Sequence, residues 1–185
     1  SGEILYDGLP LSEIPDGLLE ASLTKVDQSS FLFAATVREN VTLWDSSIPD
    51  NIVQQALADA NLLDDILRRP GGLNAAVSEG GRNFSGGQQQ RLEIARALVS
   101  NPAVIILDEA TSALDTISEQ MVDLALRARG CGALIVAHRL STIRNCDEIV
   151  VLDQGGVIAE RGTHSELMSS HGLYEQLVRD AGRGD

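Results

Sequence analysis

The sequence predicts an α/β protein with a mainly parallel sheet and an inserted helical subdomain. Two unbroken apolar runs, Val104–Leu107 and Leu134–Val136, are typical of strands buried on both faces of a parallel sheet. Between residues 36 and 100 the pattern is helical, and the apolar residues from Val53 to Ala60 recur at the i, i+3, i+4, i+7 spacing of an amphipathic helix. Strand and helix signals alternate after residue 101, which favours one α/β domain.

We expect one domain, residues 1–185, in three parts. Residues 1–35 read as extended chain, residues 36–100 as the helical subdomain, and residues 101–185 as the α/β core. Strands are predicted at Leu23–Val26, Ala103–Leu107 and Ala133–Ala137, helices at Gln88–Val99 and Ile117–Arg129, a hairpin at Glu148–Leu152 with Val157–Glu160, and short helices near Ser165–Met168 and Leu173–Val178.

Composition excludes several classes of protein. Of the 185 residues 43% are hydrophobic, which is too many for a disordered chain. The formal net charge of −13 argues against non-specific nucleic-acid binding, which depends on basic surfaces. The two cysteines have no zinc-type spacing. No apolar run approaches the length of a membrane-spanning helix, so we expect any link to a membrane to run through a partner or another segment.

Two acidic residues follow the predicted strand at Ala103–Leu107. Ligands of open α/β sheets collect at the carboxyl ends of the strands. There Asp108 would hold a Mg²⁺ ion and its water shell, and Glu109 would polarise an attacking water. A solvated acidic turn after a core strand is the ordinary alternative.

A second candidate site is the glycine-rich start of the helix at Gln88–Val99. Ser85, Gly86, Gly87 and Gln88 place backbone N–H groups at a helix N-terminus, where the dipole favours an anion and glycines let a phosphate come close. An ordinary serine N-cap beside flexible glycines is the alternative.

Gln28 and His138 each follow a predicted strand. The Gln28 amide can bind a metal or water and can move with a hinge, although an exposed loop residue is the ordinary interpretation. The imidazole of His138 can donate to a phosphate or orient a water, and a structural histidine is its alternative.

Together these segments resemble the ATP-binding cassette (ABC) family over nearly the whole chain. Asp27-Gln28 matches the Q-loop, Asn83–Gln88 the signature motif, Val104–Glu109 the Walker B strand, Ser112–Asp115 the D-loop, and His138 the switch histidine. The motifs stand in the family's order, with 20 residues from Gln88 to Asp108 and 30 from Asp108 to His138.

The resemblance implies a P-loop NTPase-like fold and a mechanism that uses ATP and Mg²⁺. Two cassettes would pair head to tail around two ATP molecules, with Ser85–Gln88 touching the nucleotide of the opposite subunit. Glu109 and His138 would act on their own nucleotide, Asp108 and Gln28 would serve the metal, and Asp115 would communicate across the dimer.

Residues 37–45 and 135–143, together with Val77–Arg82, resemble the sequences of exporters in particular. Val77–Arg82 is similar to the loop that exporters press against their membrane domains, so the Q-loop and the Glu79 region would contact those domains. The resemblance favours a bacterial peptide or bacteriocin exporter, of the group in which some members carry a peptidase domain. The expected location is the cytoplasmic face of the bacterial inner membrane.

One departure from the family is large. The sequence contains no G-x-x-x-x-G-K-[ST] phosphate loop, and its only lysine, Lys25, follows threonine. We therefore expect a chain that begins after the P-loop strand and helix of a longer cassette, soluble and inactive by itself. A cassette that has degenerated naturally is the alternative.

Two other functions compete with an exporter ATPase. DNA-repair and chromosome-structure ATPases of the same superfamily insert long coiled coils between the Q-loop and the signature, but only 57 residues without sustained heptads separate Gln28 from Ser85. A non-catalytic interaction module is the other alternative, and the retained Glu109 and His138 argue against it.

Overall fold

The computed structural model describes residues 3–28, 31–137 and 139–181. The chain divides into two compact units, residues 1–136 and 137–185, and each is described by itself. The division of the chain into three parts at residues 35 and 100 stays a prediction.

A three-stranded parallel sheet forms the centre of the first unit. Its strands are β3 (Leu23–Val26), β6 (Val104–Asp108) and β7 (Gly132–Val136), in the order β3-β6-β7. Val26 lies beside Leu107, and Asp108 lies beside Val136. The carboxyl ends of all three strands therefore meet at one edge of the sheet, as the sequence predicts.

The two apolar runs differ in burial from the expectation. In β6, Ile105 and Leu107 are buried while the alternating residues are only half-buried. In β7, Leu134 is 58% exposed and Val136 is 47% exposed. The prediction that both strands are buried on both faces is wrong for β7, because Leu134 and Val136 lie on an exposed face while Ile135, on the other face, packs against the core.

Helices fill the segment between β3 and β6. They are α2 (Val37–Thr42), α3 (Asp50–Asp59), α4 (Leu63–Leu67) and α5 (Gly86–Leu98), with the short antiparallel pair β4 (Ala35–Thr36) and β5 (Ala76–Val77). Leu92 and Leu98 of α5 are fully buried in the core, and burial of each such side chain contributes roughly 1.5–3 kcal/mol. The predicted helical insertion is confirmed.

Capping residues fix where the helices begin. Thr36 and Ser85 each form a capping box, with Glu39 and Gln88 respectively, at the starts of α2 and α5. After β6 the chain turns into α6 (Thr116–Arg129), which Asp115 caps and which ends at Gly130 in the left-handed conformation.

The first residues contain a helix that the sequence did not indicate. β1 (Leu5–Tyr6) and β2 (Leu9–Pro10) pair across a turn at Asp7 and Gly8, but Asp16–Ser22 forms helix α1. The expectation of extended chain over residues 1–35 is wrong there. The helix has only 7 residues, none of them buried, so it is too short to show an amphipathic period.

The second unit contains α7 (Leu140–Ile143), the antiparallel hairpin β8 (Ile149–Leu152) and β9 (Ile158–Gly162), α8 (His164–Ser170) and α9 (Leu173–Ala181). A small core of Ile149, Val151, Leu167 and Tyr174 holds it together. The hairpin and the two terminal helices confirm the predicted order of elements.

Candidate functional site

The edge of the sheet brings the predicted metal and catalytic residues together. Gln28 follows β3 and Glu109 follows β6, and Gln28 Nε2 donates a 2.8 Å hydrogen bond to Glu109 Oε2. Asp108, the last residue of β6, lies at the same edge. The strand register places these three residues as the sequence predicts.

The backbone at Glu109 is unusual. Its φ is +52°, in the left-handed region that a residue with a β-carbon seldom adopts, and its N–H donates to Val136 O at 2.9 Å. Such conformations persist where the surrounding structure holds them, and they are common at functional sites. The turn directs the carboxylate back across the sheet edge to Gln28.

Lys25 is a member of this edge that sequence analysis missed. Its Nζ lies 2.5 Å from Asp27 Oδ1 and 3.1 Å from Asp108 Oδ2. Hydrogen bonds to Asp27 and then to Asp108 raise the pKa of the Lys25 ammonium above its ordinary value. The signal that could have found it is the alternation of side chains along β3. In the sheet Lys25 is paired with Ile106, two residues before Asp108 on the neighbouring strand.

The edge fits a magnesium ion. Mg²⁺ takes oxygen ligands and is often bound through one or two carboxylates and substrate phosphates. Asp108 supplies a carboxylate that is 41% exposed, and the amide of Gln28 supplies one oxygen while its nitrogen donates to Glu109. Among the described residues no group of three or more acidic, histidine or cysteine side chains forms a larger metal cluster.

His138 lies outside the described residues. β7 ends at Val136, which is paired in register with Asp108, so the strand before His138 does end at the predicted edge. The catalytic role of His138 stays a prediction.

The predicted phosphate-binding segment forms the start of α5. The Ser85 side chain accepts from Gln88 N at 3.3 Å, and the Gln88 side chain accepts from Ser85 N at 3.2 Å. The amides of Gly86 and Gly87 lie in the first helical turn, where N–H groups have no acceptor within the helix. The serine cap is therefore present, and phosphate binding at Ser85–Gln88 stays a prediction.

Gly87 has a second, structural reason to be glycine. A β-carbon there would lie 3.0 Å from Ala113 O, in the loop after β6. Phe84 is buried beneath the helix start, and the Arg69 guanidinium lies 3.7 Å from the centre of its ring. Phe84 therefore places an apolar side chain under the helix start.

Asp115 is the N-cap residue of α6. Its carboxylate accepts from Ser118 N at 2.9 Å and from Ser118 Oγ at 2.7 Å. These hydrogen bonds lower the pKa of Asp115 below its ordinary value. Its predicted role in communication across a dimer is untested by this geometry, and its carboxylate oxygens already have partners.

With these contacts established, the family follows from sequence comparison. Residues 1–112 match the family model described as ABC transporter. The chain belongs to the ABC transporter family. An ABC multidrug transporter of Trichophyton rubrum is 44% identical over 97% of this chain, and an ATP-dependent lipid A-core flippase of Bordetella pertussis is 44% identical over 100% of it.

A solved structure, of a bacterial Atm1-family ABC exporter with ATP bound, matches 100% of this chain with a TM-score of 0.90 and 39% identity. The P-loop NTPase-like α/β fold and the exporter type of nucleotide-binding domain are confirmed. This chain spans 14% of the Trichophyton protein, 30% of the Bordetella protein and 32% of that solved chain. No helix among the described residues is both long and apolar enough to cross a bilayer.

Proposed function

We propose that the chain is the ATP-binding and ATP-hydrolysing part of an ABC exporter. The observation that carries the proposal is the contact between Gln28 and Glu109 beside Asp108, at the carboxyl edge of the parallel sheet. This is where α/β proteins bind nucleotides, and the side chains are those that water and metal chemistry require.

The residues would share the reaction as follows. Asp108 and Gln28 would hold Mg²⁺, which when bound would offset charge on the phosphates. Glu109 polarises the attacking water and accepts its proton, and Gln28 keeps that carboxylate oriented through the 2.8 Å hydrogen bond. His138 donates to the terminal phosphate. Ser85, Gly86, Gly87 and Gln88 bind the phosphate of a nucleotide held by a second cassette.

The proposed dimer explains why two phosphate sites occur in one chain. The sheet edge binds one nucleotide, and the start of α5 completes the site of the partner cassette. Gly87 of α5 approaches Ala113 and Leu114 of the D-loop, and Asp115, the next residue of that loop, would lie at the same interface. We therefore propose a homodimer of cassettes in the complete protein.

The membrane domains would dock beside the Q-loop. Phe31, Phe33 and Trp44 form an exposed aromatic row with ring centres 5.0 and 5.1 Å apart, next to a groove of about 600 Å³. The Glu79 region joins this surface, since Gly80 N donates to Leu32 O at 3.0 Å. Both segments predicted to contact the membrane domains are thus adjacent.

The cargo is proposed to be a peptide or bacteriocin, exported from the cytoplasmic face of a bacterial inner membrane. This finer proposal is supported by the exporter-like segments at 37–45 and 135–143 alone. The relatives described above are named for multidrug transport and as a lipid A-core flippase. The test must therefore compare a peptide cargo with lipids and with drugs.

A DNA-repair or chromosome-type ATPase is disfavoured by a specific observation. Between Gln28 and Ser85 the described chain forms helices of 5 to 10 residues, far shorter than a coiled coil. The acidic composition likewise supports a function without nucleic acid. A non-catalytic cassette would have no need for Gln28, Asp108 and Glu109 at one edge.

The test uses the complete transporter that contains this chain, reconstituted in liposomes. We expect Mg²⁺-dependent ATP hydrolysis that is stimulated by a peptide cargo and not by lipid A or hydrophobic drugs. The present chain alone is the control and should show negligible turnover, since its sequence has no phosphate loop. A complete transporter without ATP hydrolysis would contradict the proposed function; stimulation by lipid alone would contradict only the cargo.

A further inference from the structure

Three consecutive glutamines begin α5, and each has a different set of partners. Gln88 closes the capping box with Ser85 and also accepts from Arg69 Nη2 at 3.1 Å. Gln89 Nε2 donates to Gly81 O at 2.9 Å and to Phe84 O at 3.1 Å. Gln90 faces a different loop, the one that follows Glu109.

The Gln90 amide is buried and used at both ends. Gln90 is 5% exposed. Its Oε1 accepts from Ala113 N at 2.9 Å, and its Nε2 donates to Ser112 Oγ at 3.2 Å. If the Gln90 side chain were removed, the backbone N–H of Ala113 would lose its acceptor, and a buried N–H without an acceptor is unfavourable.

The loop that Gln90 holds returns to the catalytic glutamate. Ser112 N donates to Glu109 O at 3.1 Å, and Leu114 N donates to Thr111 O at 3.0 Å. Glu109 itself sits in the left-handed backbone region, with φ of +52°. A turn of this kind needs restraint from outside, and Gln90 supplies it from the signature helix.

We propose that Gln90 is a positioning residue for Glu109. By fixing Ser112 and Ala113 to α5, it holds the turn that aims the Glu109 carboxylate, and it makes the D-loop and the phosphate-binding helix start move as one body. The structural part of this inference stands on the contacts above. Its consequence for hydrolysis rests on the proposed function.

The first test measures amide hydrogen exchange in this chain. Gln90→Ala should speed exchange at Ala113 and Ser112 by about tenfold, which corresponds to ~1.4 kcal/mol, and leave Gly81 and Phe84 unchanged. Gln89→Ala is the matched control, since it removes the same side chain one residue earlier. It removes the donor to the Gly81 and Phe84 carbonyls and should leave exchange at Ala113 and Ser112 unchanged.

The conservative variant Gln90→Glu separates positioning from simple loss of packing. A carboxylate still accepts from Ala113 N, and the Ser112 hydroxyl can rotate to donate to it. We expect near-parent exchange at Ala113 in this variant. Equal exchange at Ala113 in the parent and Gln90→Ala, or the same pattern in Gln89→Ala and Gln90→Ala, would overturn the proposal.

The second test uses the complete transporter. Gln90→Ala should lower kcat for ATP hydrolysis by about tenfold or more with KM changed less than about twofold, because the base is misplaced while the nucleotide contacts remain. Gln90→Glu should restore most of kcat. A change confined to KM, or no rescue by glutamate, overturns the positioning role. If the parent hydrolyses no ATP while the exchange pattern holds, the proposed function fails and the structural part of the inference stands.

Discussion

The sheet edge and the start of α5 are both proposed to meet phosphate, but they are built in opposite ways. At the sheet edge, Lys25, Asp27 and Asp108 keep 41% to 61% of their side chains exposed, and the contacts of Lys25 with Asp108 and of Gln28 with Glu109 join the β3 and β6 segments. At the helix start, the side chains of Ser85, Gln88, Gln89 and Gln90 are all engaged in defined hydrogen bonds.

We infer from this difference that the sheet edge takes part in the reaction and that the start of α5 is a rigid support. At the sheet edge, Mg²⁺ could replace the Lys25 ammonium beside Asp108, and Gln28 could leave Glu109, at a small cost in free energy. The reason is that exposed ion pairs contribute little to stability. A helix start fixed by four side chains offers phosphate a surface that needs no rearrangement. Substitutions at the sheet edge should therefore change reaction rates, whereas those at the helix start should change assembly and local order.

The largest expected effect is that of Glu109→Gln in the complete protein. Glutamine keeps the shape and still accepts from Gln28 Nε2, but it cannot take a proton. We expect hydrolysis to slow by ~10²-fold or more, while ATP binding survives and the cassettes stay paired. ATPase assays and size-exclusion chromatography with ATP check both points. Hydrolysis at the parent rate would mean that Glu109 is not the base.

Ser85→Arg should prevent the cassettes from closing on ATP. Ser85 and Gly86 are exposed, and a bulky side chain there would occupy the space of the phosphate. The variant also loses the helix cap, which costs about 0.5–2 kcal/mol.

Ser85→Ala is the matched control for that experiment, because it loses the cap without adding bulk. Both variants should therefore melt at similar temperatures, and only Ser85→Arg should remain monomeric with ATP in size-exclusion chromatography of an otherwise hydrolysis-deficient protein. An ATP-bound dimer of the arginine variant would contradict the assignment of Ser85–Gln88 to the dimer interface.

The edge of the sheet was the part of the site most open to prediction from sequence. Apolar runs mark β6 and β7, and Leu23–Val26 is predicted as a further strand. Because parallel strands bring the residues that follow them together, Gln28, Asp108 and Glu109 could be expected at one edge. Sequence could not place α1, because 7 residues show no period. Nor could it show the partners of Gln90, since a contact between a helix and a distant loop leaves no local pattern.

Lys25→Met should strengthen binding of Mg²⁺ at the sheet edge. The ammonium lies 3.1 Å from Asp108 Oδ2 and competes with a metal for that oxygen. Both groups are well exposed, so the gain should be at most about fivefold. The Mg²⁺ dependence of ATP hydrolysis in the complete transporter measures it, with Lys25→Arg as the charge-preserving control. Weaker Mg²⁺ binding in Lys25→Met would show that the lysine supports the site instead.

The smallest effect concerns pH and the cap of α6. Hydrogen bonds from Ser118 hold the pKa of Asp115 below its ordinary value, so the folded state binds this proton less readily than the unfolded chain does. The resulting stability is present above the ordinary pKa of an aspartate and is lost as the pH falls through the lowered folded value. Asp115→Asn still caps the helix but does not titrate. Denaturant unfolding measures the free energy of unfolding of parent and variant at neutral pH and at successively lower pH. The parent should lose its greater stability only in the acidic range. A stability difference that persists unchanged to the lowest pH at which both chains fold would contradict the role of the ionised cap.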